Sequence, residues 1–415
     1  MLVALALGAA GELRADPFET YGFTSRGAAL GDAQTAAASR PAAAYDNPAL
    51  LVDDGGHELL FGLSHHQAQL RVNGERLATD PLWLWNLGFA TPLPFLPGLA
   101  DRAAFGASVG LPASGLLLVR EQDDQAVTFP RLDHRNQRLV AALGLAWRPL
   151  PWLRLGGGAT LLPDVPGEVA VDIAREAGSS SLAIDIDYDW ALGAGLAVDL
   201  PKDVRVALAW RQGQQIDLEL PVDVAVTEGL PVLVRVSGPA FFTPERLTGG
   251  VAYRPIADLL VTADLQYLRY AAEPAESPTV ELIDPQGNVT RRFPVEQPDS
   301  RSVLSPRVGA ELWLQPWLCL RAGYAYLPTP TPPQEGRTNR LDGDRHAVAL
   351  GLGLEVQPTA TWLPRRLALD LHLQGQRMTP VAWEKQEILV GNPGYPTLTG
   401  EGRLLSAGLD LRIAP

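Results

Sequence analysis

The sequence is poor in cysteine, in lysine and in long apolar runs. Cys319 is the single cysteine among 415 residues, so no disulfide can form within the chain. Only Lys202 and Lys385 are lysines, and arginine carries nearly all the positive charge. No run of about 18 apolar residues occurs, which excludes membrane-spanning helices. The formal net charge of −13 argues against a nucleic acid partner, because phosphates require a basic face.

Motifs that carry catalysis are also missing. There is no serine nucleophile elbow and no phosphate-binding glycine loop, since the "GGG" at 156–158 lies inside an apolar, strand-like stretch. The histidines show no zinc-ligand spacing; they are His57, His65, His66, His134, His346 and His372. We therefore expect no enzyme activity, no metal and no cofactor.

The first ten residues are apolar but too short to span a bilayer as a helix. Ala15 ends an approximate small-residue cleavage site, although the basic region that normally precedes the apolar run is absent. We expect residues 1–15 to be a signal peptide that is truncated at its start, with the mature chain beginning near Asp16. The alternative is a buried or disordered N-terminal segment.

Most of the remaining chain alternates between apolar and polar or small residues with a period of two. In 183–200 the apolar side chains of alternate positions fall on one face, and aspartates and glycines fall on the other. This pattern is typical of β-strands. Such strands suit either a soluble sandwich, which buries the apolar face, or a membrane barrel, which turns it towards lipid.

Three features favour a transmembrane antiparallel barrel of about 14 strands. Many segments reach the ten or so residues that a tilted strand needs to cross a bilayer, and aromatic residues lie near the strand ends. Short and long connections also alternate, as in outer-membrane barrels. The predicted strands are 57–70, 83–90, 103–111, 138–148, 152–162, 183–200, 203–220, 245–254, 258–270, 305–314, 317–327, 345–356, 366–377 and 403–413.

Residues 16–55 differ from the rest because they are rich in alanine and interrupted by Pro41 and Pro48. A barrel of this size is too wide to be filled by its own wall side chains. The small residues allow close packing, and the prolines prevent one continuous helix. We therefore predict that 16–55 fold into the lumen as a plug, and that 56–415 form the barrel.

The stretch "GFTSRGAALGDAQTAAASRPAAAYDNPALL" resembles the hatch of the FadL/TodX family of outer-membrane transporters for long-chain fatty acids and hydrocarbons. The resemblance includes Ser25-Arg26-Gly27 and Asn47-Pro48-Ala49, and it extends to two hairpins, 243–270 and 318–353. It implies a 14-stranded barrel in the outer membrane of a Gram-negative bacterium, closed by its N-terminal hatch. It also implies passive uptake of a hydrophobic ligand. We expect outer-membrane lipid around the barrel and a monomer as the working unit.

Two sets of residues are candidate sites. Asn47-Pro48-Ala49 is a candidate hinge, against the alternative of an ordinary Asx-Pro turn. Arginines near the predicted periplasmic turns could anchor the hatch through Asp32 and Asp46, or bind a ligand carboxylate, since the guanidinium fork suits carboxylates. These arginines are Arg148, Arg154, Arg205, Arg254 and Arg321. General lumen solvation and arginine-rich codon usage explain them equally well.

Two other functions fit a barrel. A FadL-like barrel can serve as a structural or shuttle component of a secretion apparatus. An outer-membrane lipase or protease barrel is the other, and the absence of a Ser-His-Asp or paired-carboxylate constellation counts against it.

Overall fold

The computed structural model describes the greater part of the chain. The described residues are 17–53, 55–93, 102–115, 117–118, 127–132, 137–164, 167–172, 179–184, 187–225, 231–274, 279–283, 289–292, 299–336, 338–357, 366–385 and 394–414. The expected signal peptide, 1–15, lies outside this part of the chain.

Fourteen strands form a closed antiparallel barrel, as the sequence predicts. Closure comes from the pairing of the first and last strands, in which Leu59 faces Ile413 and Val72 faces Gly400. The strands are β1 (Glu58–Val72), β2 (Leu82–Pro92), β3 (Ala103–Pro112), β4 (Val140–Leu150), β5 (Leu153–Asp164), β6 (Asp187–Leu200), β7 (Val204–Arg211), β8 (Arg246–Ile256), β9 (Leu259–Leu268), β10 (Val303–Gln315), β11 (Leu318–Leu327), β12 (Arg345–Val356), β13 (Arg366–Met378) and β14 (Thr397–Ala414).

The two faces of the wall differ as the period of two requires. Large apolar side chains point outward, where they form the apolar band that lipid covers in a membrane barrel. Exposed aromatic residues lie near both ends of the strands: Trp147, Trp152, Tyr253 and Trp317 near one rim, and Trp83, Trp85, Trp190 and Tyr267 near the other. The inward face carries small and polar residues, which leaves room for chain inside the barrel.

Connections at one end of the barrel are short. The links from β4 to β5, β6 to β7, β8 to β9 and β10 to β11 span only a few residues each. In the link after β6, Lys202 and Asp203 take positive φ angles of 67° and 55°, which fold the chain back sharply. At the other end, hairpin strands Gly167–Asp172, Ser179–Ile184, Gln214–Ala225, Pro231–Thr243, Thr279–Ile283 and Val289–Arg292 form a separate six-stranded sheet.

Two predicted strands are longer than the barrel strands they contain. The alternation in 203–220 continues beyond Arg211, but the wall strand ends there and a second strand begins at Gln214 in the separate sheet. Likewise Ser179–Ile184 pairs with 167–172, and the wall strand begins at Asp187. The period of two describes both sheets equally, so the sequence gives no sign of the change between them.

The N-terminal segment, residues 17–53, is the helical part of the structure. It contains α1 (Pro17–Tyr21), α2 (Ser25–Ala29), α3 (Arg40–Asp46) and a 3₁₀ helix, Pro48–Val52; another 3₁₀ helix is Tyr270–Ala272. Short further strands are Glu75–Leu77, Leu117–Leu118, Gln137–Arg138 and Val381–Glu384. Among the described residues, no helix has both the length and the apolar character needed to cross a bilayer.

Candidate functional site: the N-terminal segment in the barrel lumen

The N-terminal segment crosses the lumen from wall to wall. Helix α2 packs against β11, β12, β13 and β14, whereas α3 and the following 3₁₀ helix pack against β2, β3, β4, β5 and β6. Nearly all of its side chains are buried, among them Leu30, Leu50 and Leu51. The segment therefore lies across the lumen, in contact with wall strands on opposite sides.

Glycines of the wall permit this close approach. A Cβ atom added at Gly156 of β5 would lie 2.2 Å from the backbone nitrogen of Ala49, and one added at Gly323 of β11 would lie 2.1 Å from the backbone nitrogen of Gly31. Contacts this short do not occur between real atoms, so the backbone of the segment lies directly on the backbone of the wall. Within the "GGG" stretch, Gly156 faces the segment, whereas a Cβ added at Gly157 would have no atom within 4 Å.

Asn47-Pro48-Ala49 lies at the centre of the contact with β5 and β6. The Asn47 carboxamide is fully buried; its oxygen accepts from the Ala49 N–H at 3.1 Å, and its nitrogen donates to the Thr35 carbonyl at 2.8 Å. The first bond is the Asx turn that the local sequence predicts, and it caps the 3₁₀ helix that begins at Pro48. The second bond joins two parts of the segment. A Cβ at Gly195 of β6 would lie 2.1 Å from the Asn47 oxygen, so this side chain has no room to move while the segment is in place.

Ser25-Arg26-Gly27 attaches the other side of the segment to the wall. Asp410 of β14 accepts from the Ser25 backbone N–H at 2.6 Å and from its hydroxyl at 3.1 Å. The Arg26 guanidinium forms a two-pronged contact with Glu311 of β10, at 2.7 and 2.5 Å. Gly27 donates its N–H to the side-chain oxygen of the N-cap threonine, which begins α2.

Arg26 is the first member of a buried row of alternating charges. Glu311 also accepts from Arg321 at 2.6 Å, Arg321 donates to Asp370 at 2.7 Å, and Asp370 accepts from Arg412 at 2.8 Å. The row runs across β10, β11, β13 and β14, and each carboxylate lies between two guanidinium groups. Burial of any of these ions without a partner would cost on the order of several kcal/mol. Removing one member of the row would therefore leave its neighbour as an uncompensated buried charge.

A second charge cluster holds the end of the segment. Asp53 follows the 3₁₀ helix and forms ion pairs with Arg154 at 2.5 Å and Arg205 at 2.7 Å. Both arginines also pair with Asp199, which lies 2.7 Å from Arg205. Two of the predicted arginines therefore contact the segment directly, but through Asp53, which the sequence reasoning did not single out.

The predicted partners Asp32 and Asp46 do not bond to the five predicted arginines, and that part of the prediction is wrong. Asp32 pairs with Arg307 of β10, and Asp46 accepts from the Gln34 side-chain nitrogen at 2.7 Å. Burial, together with the nearby carboxylate of Asp32, raises the pKa of Asp46 to about 7. The predicted ion pairs of Asp32 and Asp46 do not form because the strands that face these residues are set by the closure of the barrel. The sequence alone does not show which strands those are.

The other three predicted arginines have different positions. Arg321 reaches the segment through Glu311. Arg254 is exposed and lines a cavity of about 460 Å³ at the short-turn end, to which Arg26 and Asp53 also contribute. Arg148 is half-buried near the same end, at the tip of β4.

An aromatic cluster, not found by sequence reasoning, lies on the long-loop side of the segment. The Phe23 ring stacks on Tyr45 with centroids 4.9 Å apart, and Phe18 lies 5.4 Å from Phe23. The Arg211 guanidinium lies 3.9 Å from the centroid of the Tyr45 ring. Apolar residues of the wall and loops continue the cluster; they include Leu70, Leu82, Leu84, Phe129, Leu132 and Met378. The lumen therefore holds a large buried apolar cluster on the long-loop side of the segment.

One arginine beside this cluster has no carboxylate partner in the described part of the chain. Arg345 of β12 is 2 % exposed and donates to the Gln376 side-chain oxygen at 3.1 Å, and its Nε atom has no hydrogen-bond partner. The neighbouring Arg131, by contrast, pairs with Asp342 at 2.8 Å. A buried guanidinium with spare donors suits an anion brought by a ligand.

Comparisons with known proteins agree with this architecture. No protein-family model matches the sequence. Alkane uptake protein A of Marinobacter nauticus is 22% identical over 360 residues, which cover 81% of this chain and 78% of that protein.

Solved structures match along almost the whole chain. A FadL homologue of Pseudomonas aeruginosa superposes with a TM-score of 0.60 at 15% identity, covering 97% of this chain and 99% of the other. The toluene transporter TodX of P. putida gives 0.61 at 14% identity, covering 95% and 99%. The toluene transporter TbuX of Ralstonia pickettii gives 0.58 at 16% identity, covering 95% and 100%. The resemblance found in the sequence is confirmed at the level of the fold, and the chain is a barrel of the FadL/TodX type.

Proposed function

We propose that the protein carries out passive uptake of hydrophobic compounds across the bacterial outer membrane, with residues 16–55 as the hatch of the barrel. The observation that carries the proposal is the closed lumen: a segment of small residues lies across it, with an apolar cluster on the long-loop side. The alkane uptake protein and the toluene transporters that the chain is similar to support this class of ligand. None of these relatives favours the alternative role in a secretion apparatus.

The orientation follows from the connections. Short turns lie in the periplasm and long loops outside the cell in outer-membrane barrels, so the aromatic cluster would face arriving ligands. A hydrophobic ligand would leave the loops and replace protein contacts in the cluster of Phe18, Phe23 and Tyr45. Two of these residues precede α2 and the third lies in α3, so occupancy of the cluster acts directly on the hatch. The barrel closes on itself without a partner strand, and we propose a monomer.

The test is ligand binding and uptake by the mature barrel. Tryptophan quenching of the refolded protein would be measured with a long-chain fatty acid and with an alkane of equal length, and transport would be measured in proteoliposomes. Saturable binding together with transport supports the proposal. Absence of saturable binding to both would contradict it and favour a protein partner.

Arg345 separates the two ligand classes. If the natural ligand has an acidic head group, Arg345→Met should weaken fatty-acid binding by tenfold or more, because a charge-assisted bond is lost, and leave alkane binding unchanged. If the ligand is a neutral hydrocarbon, wild-type protein should prefer the alkane, and the variant should bind it at least as tightly because an unpaired buried charge has been removed. Arg345→Lys is the matched control, because it keeps a positive charge at the same position and removes only the guanidinium fork.

A further inference from the structure

A group of arginines lies on the outer surface of the barrel where the last strand meets the first. Arg71 of β1, Arg76 of the short strand Glu75–Leu77, Arg377 of β13 and Arg403 of β14 line one shallow cavity of about 150 Å³. All four are exposed, and Glu401 is the one acidic residue of the cavity lining. We call this group the rim cluster.

The register places like charges directly opposite each other. Arg71 faces Arg76 across one pair of strands, and Arg377 faces Arg403 across another. Side chains in such pairs lie about 5 Å apart at Cβ, and like charges there are destabilising. One of the four has a partner, since Arg71 lies 3.2 Å from Glu401. Among the described residues, the other three have no carboxylate within ion-pair distance.

The height of the cluster on the barrel indicates what lies beside it. Arg403 precedes the outward-facing Leu405 by two residues along β14, and Arg377 lies four residues beyond the outward-facing Leu373. Leu405 is 55 % exposed and Leu373 is 52 % exposed, so both belong to the apolar band. At about 3.3 Å per residue, the arginines lie roughly 7–13 Å along the strands beyond these leucines. A strand tilt of about 40° makes this roughly 5–10 Å of height, which places the arginines at the level of lipid headgroups.

We propose that the rim cluster binds the phosphate groups of a glycolipid in the outer leaflet of the membrane. Arginine forks match phosphate oxygens in pairs, and a doubly charged phosphate placed between Arg377 and Arg403 would convert a repulsive pair into two attractive contacts. The lipid chains would lie along the apolar band below. This site is separate from the lumen and depends only on the orientation proposed above.

The test uses the full mature barrel in detergent micelles, titrated with diphosphorylated lipid A and followed by native mass spectrometry. We expect a bound lipid on wild-type protein and at least tenfold weaker binding by the double variant Arg377→Gln/Arg403→Gln. Arg269→Gln is the matched control, because Arg269 is exposed at the same end of the barrel but pairs with Glu245 at 3.1 Å. Lipid A with its phosphates removed should bind no better to wild type than to the double variant.

Three outcomes would overturn the proposal. Equal weakening in the double variant and in Arg269→Gln would mean a general charge effect, and unchanged binding in both would mean a merely solvated rim. Inorganic phosphate distinguishes the source of the anion: displacement of the lipid at equal phosphate concentration would contradict a lipid site and indicate a free-anion site. A second measurement uses thermal unfolding, in which the double variant should be more stable than wild type without lipid and less stable with it.

Discussion

A single methyl group on the inner face of β5 should loosen the contact between the N-terminal segment and the wall. Gly156→Ala would place a Cβ 2.2 Å from the Ala49 nitrogen and 2.4 Å from the Pro48 carbonyl carbon. Both are backbone atoms, which cannot rotate away as a flexible side chain could. An ordinary contact begins near 3.4 Å, so the segment must retreat from the wall by about 1.2 Å.

The cost can be estimated from two terms. Overpacking of this kind costs about 1–3 kcal/mol. The retreat also strains the Asn47 hydrogen bonds to Ala49 and Thr35, each worth roughly 0.5–1.5 kcal/mol. A total of about 2–6 kcal/mol would raise the fraction of molecules with a displaced segment by roughly 30- to 20,000-fold, since 1.4 kcal/mol is a factor of ten.

The assay is single-channel conductance in a planar bilayer, because a displaced segment leaves a water-filled lumen. Gly157→Ala is the control: it adds the same methyl group to the next residue of the same strand, where the added Cβ meets nothing within 4 Å. We expect frequent openings with Gly156→Ala and wild-type behaviour with Gly157→Ala. Equal conductance of the two variants, both shown to be folded by their gel mobility without boiling, would refute the packing argument.

Three further predictions concern the attachment of the segment. Arg26→Gln removes the two-pronged contact of Arg26 with Glu311. Maleimide should then label the buried Cys319, the single thiol of the chain, at least tenfold faster. Unchanged labelling would mean that the charge row does not hold the segment. Because the pKa of Asp46 is raised from 3.8 to about 7, folding takes up a proton between these values, so this group should make thermal stability fall as pH rises from about 4 to about 7, by on the order of 2–4 kcal/mol. Asp46→Asn should make this slope clearly smaller, and a slope of unchanged size would assign it to other groups. Asn47→Ala leaves its buried partners unsatisfied and should destabilise the segment by about 1–3 kcal/mol, seen as faster proteolysis near the N-terminus, and equal proteolysis of wild type and variant would argue against the role of this side chain.

The charged contacts show where prediction from sequence stopped. Arg154, Arg205 and Arg321 were predicted because each is an inward-facing residue near the end of a strand that joins a short turn. Their partners could not be found, since Glu311 lies 285 residues from Arg26 and neither residue has a local pattern that refers to the other. Arg345 was also missed. It differs from the other arginines only in having no nearby carboxylate, and that is a property of the folded chain.

The sequence by itself determined the strands of the wall and the different character of the N-terminal segment. Apolar alternation with a period of two is a local property, so it gave the strands, their outward face and the count of fourteen, and the alanine-rich segment with its prolines could only be something other than a strand. The tertiary structure alone decided how that segment is held against the wall. Closure brings β14 beside β1 and places Asp410 at Ser25, and the glycines at 156, 195 and 323 gain their meaning only from the backbone that lies against them. Such contacts depend on the shape of the closed barrel, and no short stretch of sequence contains that shape.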